Sequence, residues 1–330
     1  MKQKLKNVFS FVLRFGVSGL LLWYIFTKID IQKTQEVLKS ADLSYLFYAG
    51  IVFLVINFIL LWRWFIFIKA LDLSVSIMTV IRYYFAGLFG NLFLPSSIGG
   101  DIIKIIGLCR GNRKKAKVVA SVLLDRLSGF VAIVLVASAS FIFGYGFIED
   151  KSSLFFILCM ALLFGMISVV LFNQRLYRFC CQIFNRIPRV KEGLMLIHDD
   201  IMLLKGRRKE AFQGVVLSCL SQAVFSLTYY LTARALHQDI QLIYFFIFVP
   251  LICMASAFPS IGGLGIREAG AAYLFLKVGV DAGIAVSFSL INFLFMVIFG
   301  LLGGLFYVST LSFGRVQYYP SDAEVFPTKA

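Results

Sequence analysis

The chain has 330 residues, of which 60% are hydrophobic and only 15% are charged, and its mean hydropathy is +0.89. Its formal net charge is +15, from 32 Lys and Arg against 17 Asp and Glu. Such a composition excludes a soluble domain and is typical of a multi-pass membrane protein. The basic excess fits loops that orient membrane spans better than it fits a surface for nucleic acid.

Apolar runs of about 20 residues are long enough to cross a bilayer as helices. Six segments have this character: roughly 8–27, 43–68, 118–147, 154–172, 211–235 and 282–310. Two further segments, 77–110 and 242–280, are apolar but are interrupted by Pro and Gly. We therefore predict an all-α integral membrane fold with about six full transmembrane helices plus two re-entrant broken hairpins.

The distribution of Lys and Arg predicts the orientation of these segments. The N-terminus, the stretch 110–117 and the loop 173–210 are basic, and that loop alone carries nine Lys or Arg. These regions are expected in the cytoplasm together with both chain termini, in a protein of the cell membrane. Segment 77–110 then has to enter and leave on one side, which favours a hairpin that penetrates part-way.

The same pattern returns in the second half with the opposite orientation. Each half reads as span, span, broken hairpin, span, which predicts an inverted repeat. The expected divisions are a first membrane repeat at 1–150, a second membrane repeat at 151–314 and a polar tail at 315–330. The hairpin 77–110 belongs to the first repeat, and the hairpin 242–280 belongs to the second.

Two similar motifs interrupt the broken segments, "LPSSIGGD" at 94–101 and "FPSIGGLGIRE" at 258–268. Pro95 and Pro259 each remove a backbone donor, and the glycine pairs that follow permit positive φ or close approach of another group. A short helix is expected to begin after each motif, with its first amides free to face an anion. The functional interpretation is a cavity at the membrane midplane, and the structural alternative is tight helix packing.

Charged residues within membrane segments are costly and tend to face a cavity or a partner. We predict that Arg126 and Arg267 meet an anionic head group. Asp101 and Glu268 are expected to pair with these arginines or to bind a coupling cation or proton. An alternative is that Asp125 and Arg126 form purely structural ion pairs with neighbours. The remaining cations are interpreted as interfacial residues whose heads reach water: Arg63, Arg82 and Lys104.

The two motifs, together with "SVLLDRLSG" at 121–129, resemble the lysylphosphatidylglycerol synthase transmembrane-region family over roughly residues 8–310. The resemblance implies an all-helical module that translocates lipid. It places substrate-binding positions at Pro95, Gly99, Gly100, Asp101, Arg126, Pro259, Gly262, Gly263, Gly265, Arg267 and Glu268. Lys104 and Asp125 stand at further motif positions, and Arg82 joins them as a second-tier candidate on its charge. The acyltransferase domain of the full-length synthases is not recognised, so aminoacyl transfer is not expected.

The expected activity is movement of a lipid or lipid-linked anion between leaflets, with a membrane phospholipid or a polyprenyl-phosphate-linked lipid as partner. One alternative is a membrane-embedded transferase, although His198 and His237 read as ordinary loop residues. Another is an assembly or anchoring subunit that uses the loop 173–210 to bind a partner protein or to form a homo-oligomer. The six cysteines show no metal-ligand spacing, and neither a metal nor a cofactor is expected.

Overall fold

A computed structural model describes residues 31–93, 99–110, 114–143, 206–256 and 263–313, together with 175–177, 195 and 202. The elements of this part of the chain are helical, and no strand occurs in it, which agrees with the predicted all-α class. In chain order the helices are α1 (Ile31–Lys39), α2 (Leu43–Ala70), α3 (Ile77–Phe93), α4 (Gly99–Arg110), α5 (Lys115–Phe143), α6 (Arg208–Ala235), α7 (Leu242–Ala255), α8 (Ile266–Leu276) and α9 (Ala282–Phe313).

Four of the helices are long and apolar enough to cross a membrane, namely α2, α5, α6 and α9. They coincide with four of the six predicted spans. The other two predicted spans, 8–27 and 154–172, lie outside the described residues. The assignment of the chain to a membrane rests on these four helices.

The helices expose apolar side chains and bury polar ones. On α2, Phe47 and Phe58 are 68% and 57% exposed, whereas Arg63 is 7% exposed. On α9, Leu305 is exposed and Asn292 is buried. An apolar exterior around polar contacts is the arrangement that a hydrocarbon solvent favours, because a polar group facing lipid has no partner.

Each interrupted segment folds as a pair of antiparallel helices. Gly100 of α4 packs on Gly87 of α3, and Gly107 packs on Tyr83, so the end of α4 lies beside the start of α3. In the second pair, Phe275 of α8 contacts Phe245 near the start of α7. The helices α3, α4, α7 and α8 have 17, 12, 14 and 11 residues. At about 1.5 Å per residue each is shorter than a hydrocarbon core of about 30 Å.

Helices α2 and α6 form the central antiparallel pair, and each has 28 residues. The amide of Asp42, which caps the start of α2, donates to the carbonyl of Ala235 at the end of α6 (2.9 Å). At the opposite end, Arg207 and Asp72 form an ion pair of 2.6 Å. These contacts fix α2 and α6 in register along their whole length.

The contacts between helices repeat when the two halves of the chain are exchanged. Helix α3 packs on α9, and α7 packs on α5. Helix α2 packs on α5, and α6 packs on α9. Two aromatic and aliphatic cores result, one around Trp64, Phe67 and Tyr84, and the other around Phe245, Phe275 and Phe288.

Candidate functional site: two buried charge clusters

The first charge cluster consists of Arg63, Asp101, Lys104, Asp125 and Arg126, contributed by α2, α4 and α5. Arg63 Nε donates to Asp125 Oδ1 at 2.6 Å. Arg126 Nε donates to Asp101 Oδ2. Lys104 Nζ lies between the carboxylates, 3.7 Å from Asp101 Oδ1 and 4.0 Å from Asp125 Oδ2. Of the two alternatives for Asp101 in the sequence analysis, the structure contains the pairing with an arginine, Arg126, and Lys104 joins the two ion pairs.

Neighbouring side chains hold the cations of this cluster in place. Arg63 Nη1 donates to Ser218 Oγ of α6 at 3.0 Å, and Ser218 Oγ lies 3.0 Å from Ser128 Oγ of α5. Lys104 Nζ lies over the rings of Trp64 and Tyr84, at 4.9 and 5.0 Å from their centroids. Aromatic faces attract a desolvated ammonium, so Lys104 has stabilising contacts on several sides.

The cluster has more positive than negative charge. It contains three cations and two carboxylates, so its formal charge is +1. Four of its side chains are at most 10% exposed, whereas the Arg126 side chain is 35% exposed. The four buried members balance, two cations against two carboxylates, so the excess positive charge falls on Arg126, the partly exposed member that an anion can reach.

The second charge cluster is the pair Arg267 and Glu268 at the start of α8. Arg267 donates from Nε and Nη2 to Glu268 Oε1, at 3.2 and 3.1 Å. Ser289 of α9 donates to the same oxygen at 3.2 Å. Both residues are buried, and the Arg267 guanidinium lies 5.1 Å from the centroid of the Phe293 ring. This cluster is electrically balanced, in contrast to the first.

The two helix starts after the motifs differ from the prediction of free amides. The Gly100 amide donates to Asn91 Oδ1 at 2.7 Å, and the Gly265 amide donates to Glu268 Oε2 at 2.7 Å. The Arg267 amide bonds to the carbonyl of Gly263. The expectation that these amides face a ligand is therefore wrong at these three positions, because side chains and carbonyls of the same hairpins satisfy them.

The structure shows why glycine occupies several of the motif positions. A Cβ on Gly100 would lie 2.3 Å from the Gly87 carbonyl oxygen, so only glycine permits this approach of α4 to α3. Gly263 and Gly265 have φ of +83° and +85°, in the left-handed region that favours glycine. Gly99 is buried at the first position of α4. The tight-packing interpretation thus accounts for Gly100.

The remaining predicted positions fall into three groups. Pro95, Pro259 and Gly262 lie outside the described residues. Arg82 lies on α3, and no contact within the described part of the chain joins it to either cluster. Lys104 and Asp125, predicted as second-tier residues, are central members of the first cluster. The interpretation of Lys104 as an interfacial residue is wrong, because Lys104 is buried between two carboxylates.

The sequence interpretation of Arg63 as an interfacial residue is wrong, because Arg63 is buried and bonded to Asp125. The position of Arg63 along α2 could have indicated this from the sequence. Arg63 lies seven residues before α2 ends at Ala70, about 10 Å along a helix axis, which is deep for an interfacial position. Ser218 was also missed, because a serine in a membrane helix is common and carries no charge.

An open depression of roughly 550 Å³ lies at the ends of α2 and α6 that meet through Asp72 and Arg207. Its lining includes the polar side chains of Lys69, Glu210 and Gln213 beside the apolar Ile66 and Leu73. None of its lining residues belongs to either charge cluster. The depression is therefore a surface feature next to the helix ends and does not enlarge the site.

These features define a polytopic helical membrane protein with charged side chains paired in its interior. Residues 11–304 match the family described as the Lysylphosphatidylglycerol synthase TM region, and the chain belongs to this family. It is also similar to the UPF0104 membrane protein PH1989 of Pyrococcus horikoshii, at 26% identity over 301 residues, which covers 83% of this chain and 88% of that protein. No solved structure matches the chain.

Proposed function

We propose that this protein is a carrier, without covalent chemistry, that moves a lipid with an anionic head group between the leaflets of the cell membrane. The observation that carries the proposal is the excess positive charge of the first charge cluster. A phosphate near Arg126 would compensate this charge and accept charge-assisted hydrogen bonds. The substrate class is therefore a phospholipid or a polyprenyl-phosphate-linked lipid.

The helix contacts, which are repeated between the two halves of the chain, support a mechanism for moving the lipid. Corresponding helices α2 and α6 run antiparallel, as expected for an inverted repeat whose axis lies in the membrane plane. We propose that the pairs α3–α4 and α7–α8 are re-entrant hairpins entering from opposite leaflets. Rocking of one repeat against the other about the α2–α6 pair would expose the first charge cluster to each side in turn.

The family description names a synthase of a phosphatidylglycerol derivative, and this also favours a phosphate-bearing lipid. Both termini are proposed to be cytoplasmic, with the basic loop 173–210 on the same side. That loop remains the proposed contact for a partner protein or for a second copy of the chain.

The test uses purified protein in liposomes that contain fluorescent phosphatidylglycerol in both leaflets, with dithionite added outside to bleach accessible label. Protein-containing vesicles should lose nearly all their fluorescence, and empty vesicles should lose half. Arg126→Ala should slow the bleaching of the inner leaflet by about tenfold or more, since a hydrogen bond to a charged group contributes about 1.5–3 kcal/mol. Arg126→Lys should retain part of the activity.

Arg207→Ala is the matched control, because it removes an exposed cation whose ion-pair partners, Asp72 and Glu210, lie outside the first charge cluster. Unchanged transport in Arg126→Ala would remove Arg126 from the site. Chemical turnover of the head group without movement of the lipid would favour the transferase alternative instead.

A further inference from the structure

Helix α6 carries a polar face along its buried side. Ser218, Gln222, Ser226 and Tyr229 follow one another at intervals of four, four and three residues, which places them on one face of the helix. From Ser218 to Tyr229 this face extends about 16 Å along the axis. In a helix that crosses hydrocarbon, such a continuous polar face requires partners within the protein.

The two ends of this face meet the two charge clusters. Ser218 Oγ accepts a hydrogen bond from Arg63 of the first cluster. The Tyr229 ring contacts the ring of Phe288 of α9, with centroids 6.2 Å apart, and Ser289 is the next residue along α9. Ser289 in turn donates to Glu268. The face therefore connects the clusters, although they belong to different halves of the chain.

Polar atoms along this face have no hydrogen-bond partner within the described part of the protein. They are Gln222 Oε1, Ser226 Oγ and the Tyr229 hydroxyl. A fourth such atom, Asn292 Oδ1, belongs to α9. It lies one turn further along α6, because Asn292 Nδ2 donates to Thr232 Oγ1. Ser226 and Tyr229 are fully buried. Burying an unsatisfied polar group is costly, and nearly all such groups in folded proteins are satisfied by protein or water.

We propose that α6 holds a chain of internal water molecules that joins the two charge clusters. Two of the atoms are amide oxygens, which accept only, and two are hydroxyls, which both donate and accept. Water matches this mixture because it donates two hydrogen bonds and accepts two, and internal waters make two to four bonds to such groups. A path of this kind would let a proton pass between Asp125, the partner of Arg63, and Glu268, because the arginines of both clusters keep their protons.

The proposal stands apart from lipid transport, and its tests do not measure transport. In a background without the native cysteines, Ser226→Cys is compared with Thr228→Cys under a small water-soluble thiol reagent. Thr228 is the matched control because it is also fully buried on α6, while its hydroxyl donates to the Val224 carbonyl at 3.1 Å. Ser226→Cys should react about tenfold faster, because the reactive thiolate forms only where water solvates it.

Equal inertness at both positions would mean a dry face and would overturn the water chain. Equal reactivity would also overturn it, because it would show general opening of α6. If Ser226→Cys fails to insert, Gln222→Cys replaces it against the same control, with the same expected ratio.

Tyr229→Phe gives a second, independent test, in which the unfolding midpoint of the protein in detergent either falls or rises. If the Tyr229 hydroxyl binds water, its removal should lower the unfolding midpoint in detergent. If the hydroxyl lies in a dry core, its removal relieves an unsatisfied group and should raise the midpoint. A raised midpoint overturns the proposal.

Discussion

Asp72 and His237 occupy corresponding positions in the two halves of the chain. Each follows an Ala-Leu pair that ends one of the central helices, α2 or α6, and each has a left-handed backbone, with φ of +52° and +58°. They are the non-glycine residues with positive φ in the described part of the chain. The two residues are 165 positions apart, and their shared conformation indicates that α2 and α6 end in the same way.

This cap makes a first prediction. A β-branched residue should be strained at either position, whereas Asn tolerates the left-handed conformation. Asp72→Val and His237→Val should each unfold about 1–2 kcal/mol more readily than the corresponding Asn variants. Comparing Val with Asn at one position emphasises the backbone effect, because neither variant keeps the charge of Asp72 or the ring of His237. Equal stability of Val and Asn in detergent denaturation would contradict the assignment.

The second prediction concerns the Arg63–Asp125 ion pair. Asp125→Ala should destabilise the protein by about 3–5 kcal/mol, because it leaves the Arg63 guanidinium buried without its carboxylate. The double variant Arg63→Met, Asp125→Leu should recover much of this loss, since it removes both charges. Asp72→Asn is the control, because it removes the charge of the exposed pair with Arg207 and still tolerates the left-handed backbone, so it should cost no more than about 1 kcal/mol. Equal effects of the two single variants would mean that Arg63 reaches water.

The contact of Gly100 with Gly87 makes the third prediction. Gly100→Ala places a methyl group against a backbone carbonyl that has little freedom to move, so it should push α4 away from α3 and cost about 1–3 kcal/mol. Gly206→Ala is the matched control, because a Cβ there meets nothing within 4 Å. Thermal unfolding of both variants in detergent measures the difference. An unchanged Gly100→Ala protein would show that the hairpin is looser than its contacts indicate.

The direction of α2 makes the fourth prediction. Ser40 and Ser74 are exposed beyond opposite ends of this helix. In the proposed orientation, Ser40→Cys in a background without native cysteines should be labelled by a membrane-impermeant thiol reagent in intact cells. Ser74→Cys should be labelled only after the membrane is opened. The reverse pattern would invert the proposed topology while leaving the helix packing unchanged.

The long spans and the interrupted segments could be predicted because their signals are local. Runs of apolar residues define α2 and α9, and Pro with Gly marks the places where α3 and α7 stop. The Asp101–Arg126 pair could also be anticipated, since a charge in hydrocarbon needs a partner and few are available.

The choice of partners across long sequence separations could not be predicted. Asp125 pairs with Arg63 of α2, 62 residues away, and not with the adjacent Arg126. The Gly100 amide is satisfied by Asn91, whose side chain carries no motif signal. The polar face of α6 also escaped notice, because Ser and Tyr are tolerated in membrane helices and reveal their importance only when their neighbours are known.

The separation between Arg63 and Asp125 has a consequence for biosynthesis. At a synthesis rate of about 5–20 residues per second, Asp125 emerges from the ribosome roughly 3–12 s after Arg63, and Ser218 later still. Throughout this interval α2 carries an arginine whose carboxylate does not yet exist. The buried Arg63–Asp125 pair can therefore form only after α5 has been made, and until then the Arg63 guanidinium depends on water or lipid head groups for its partners.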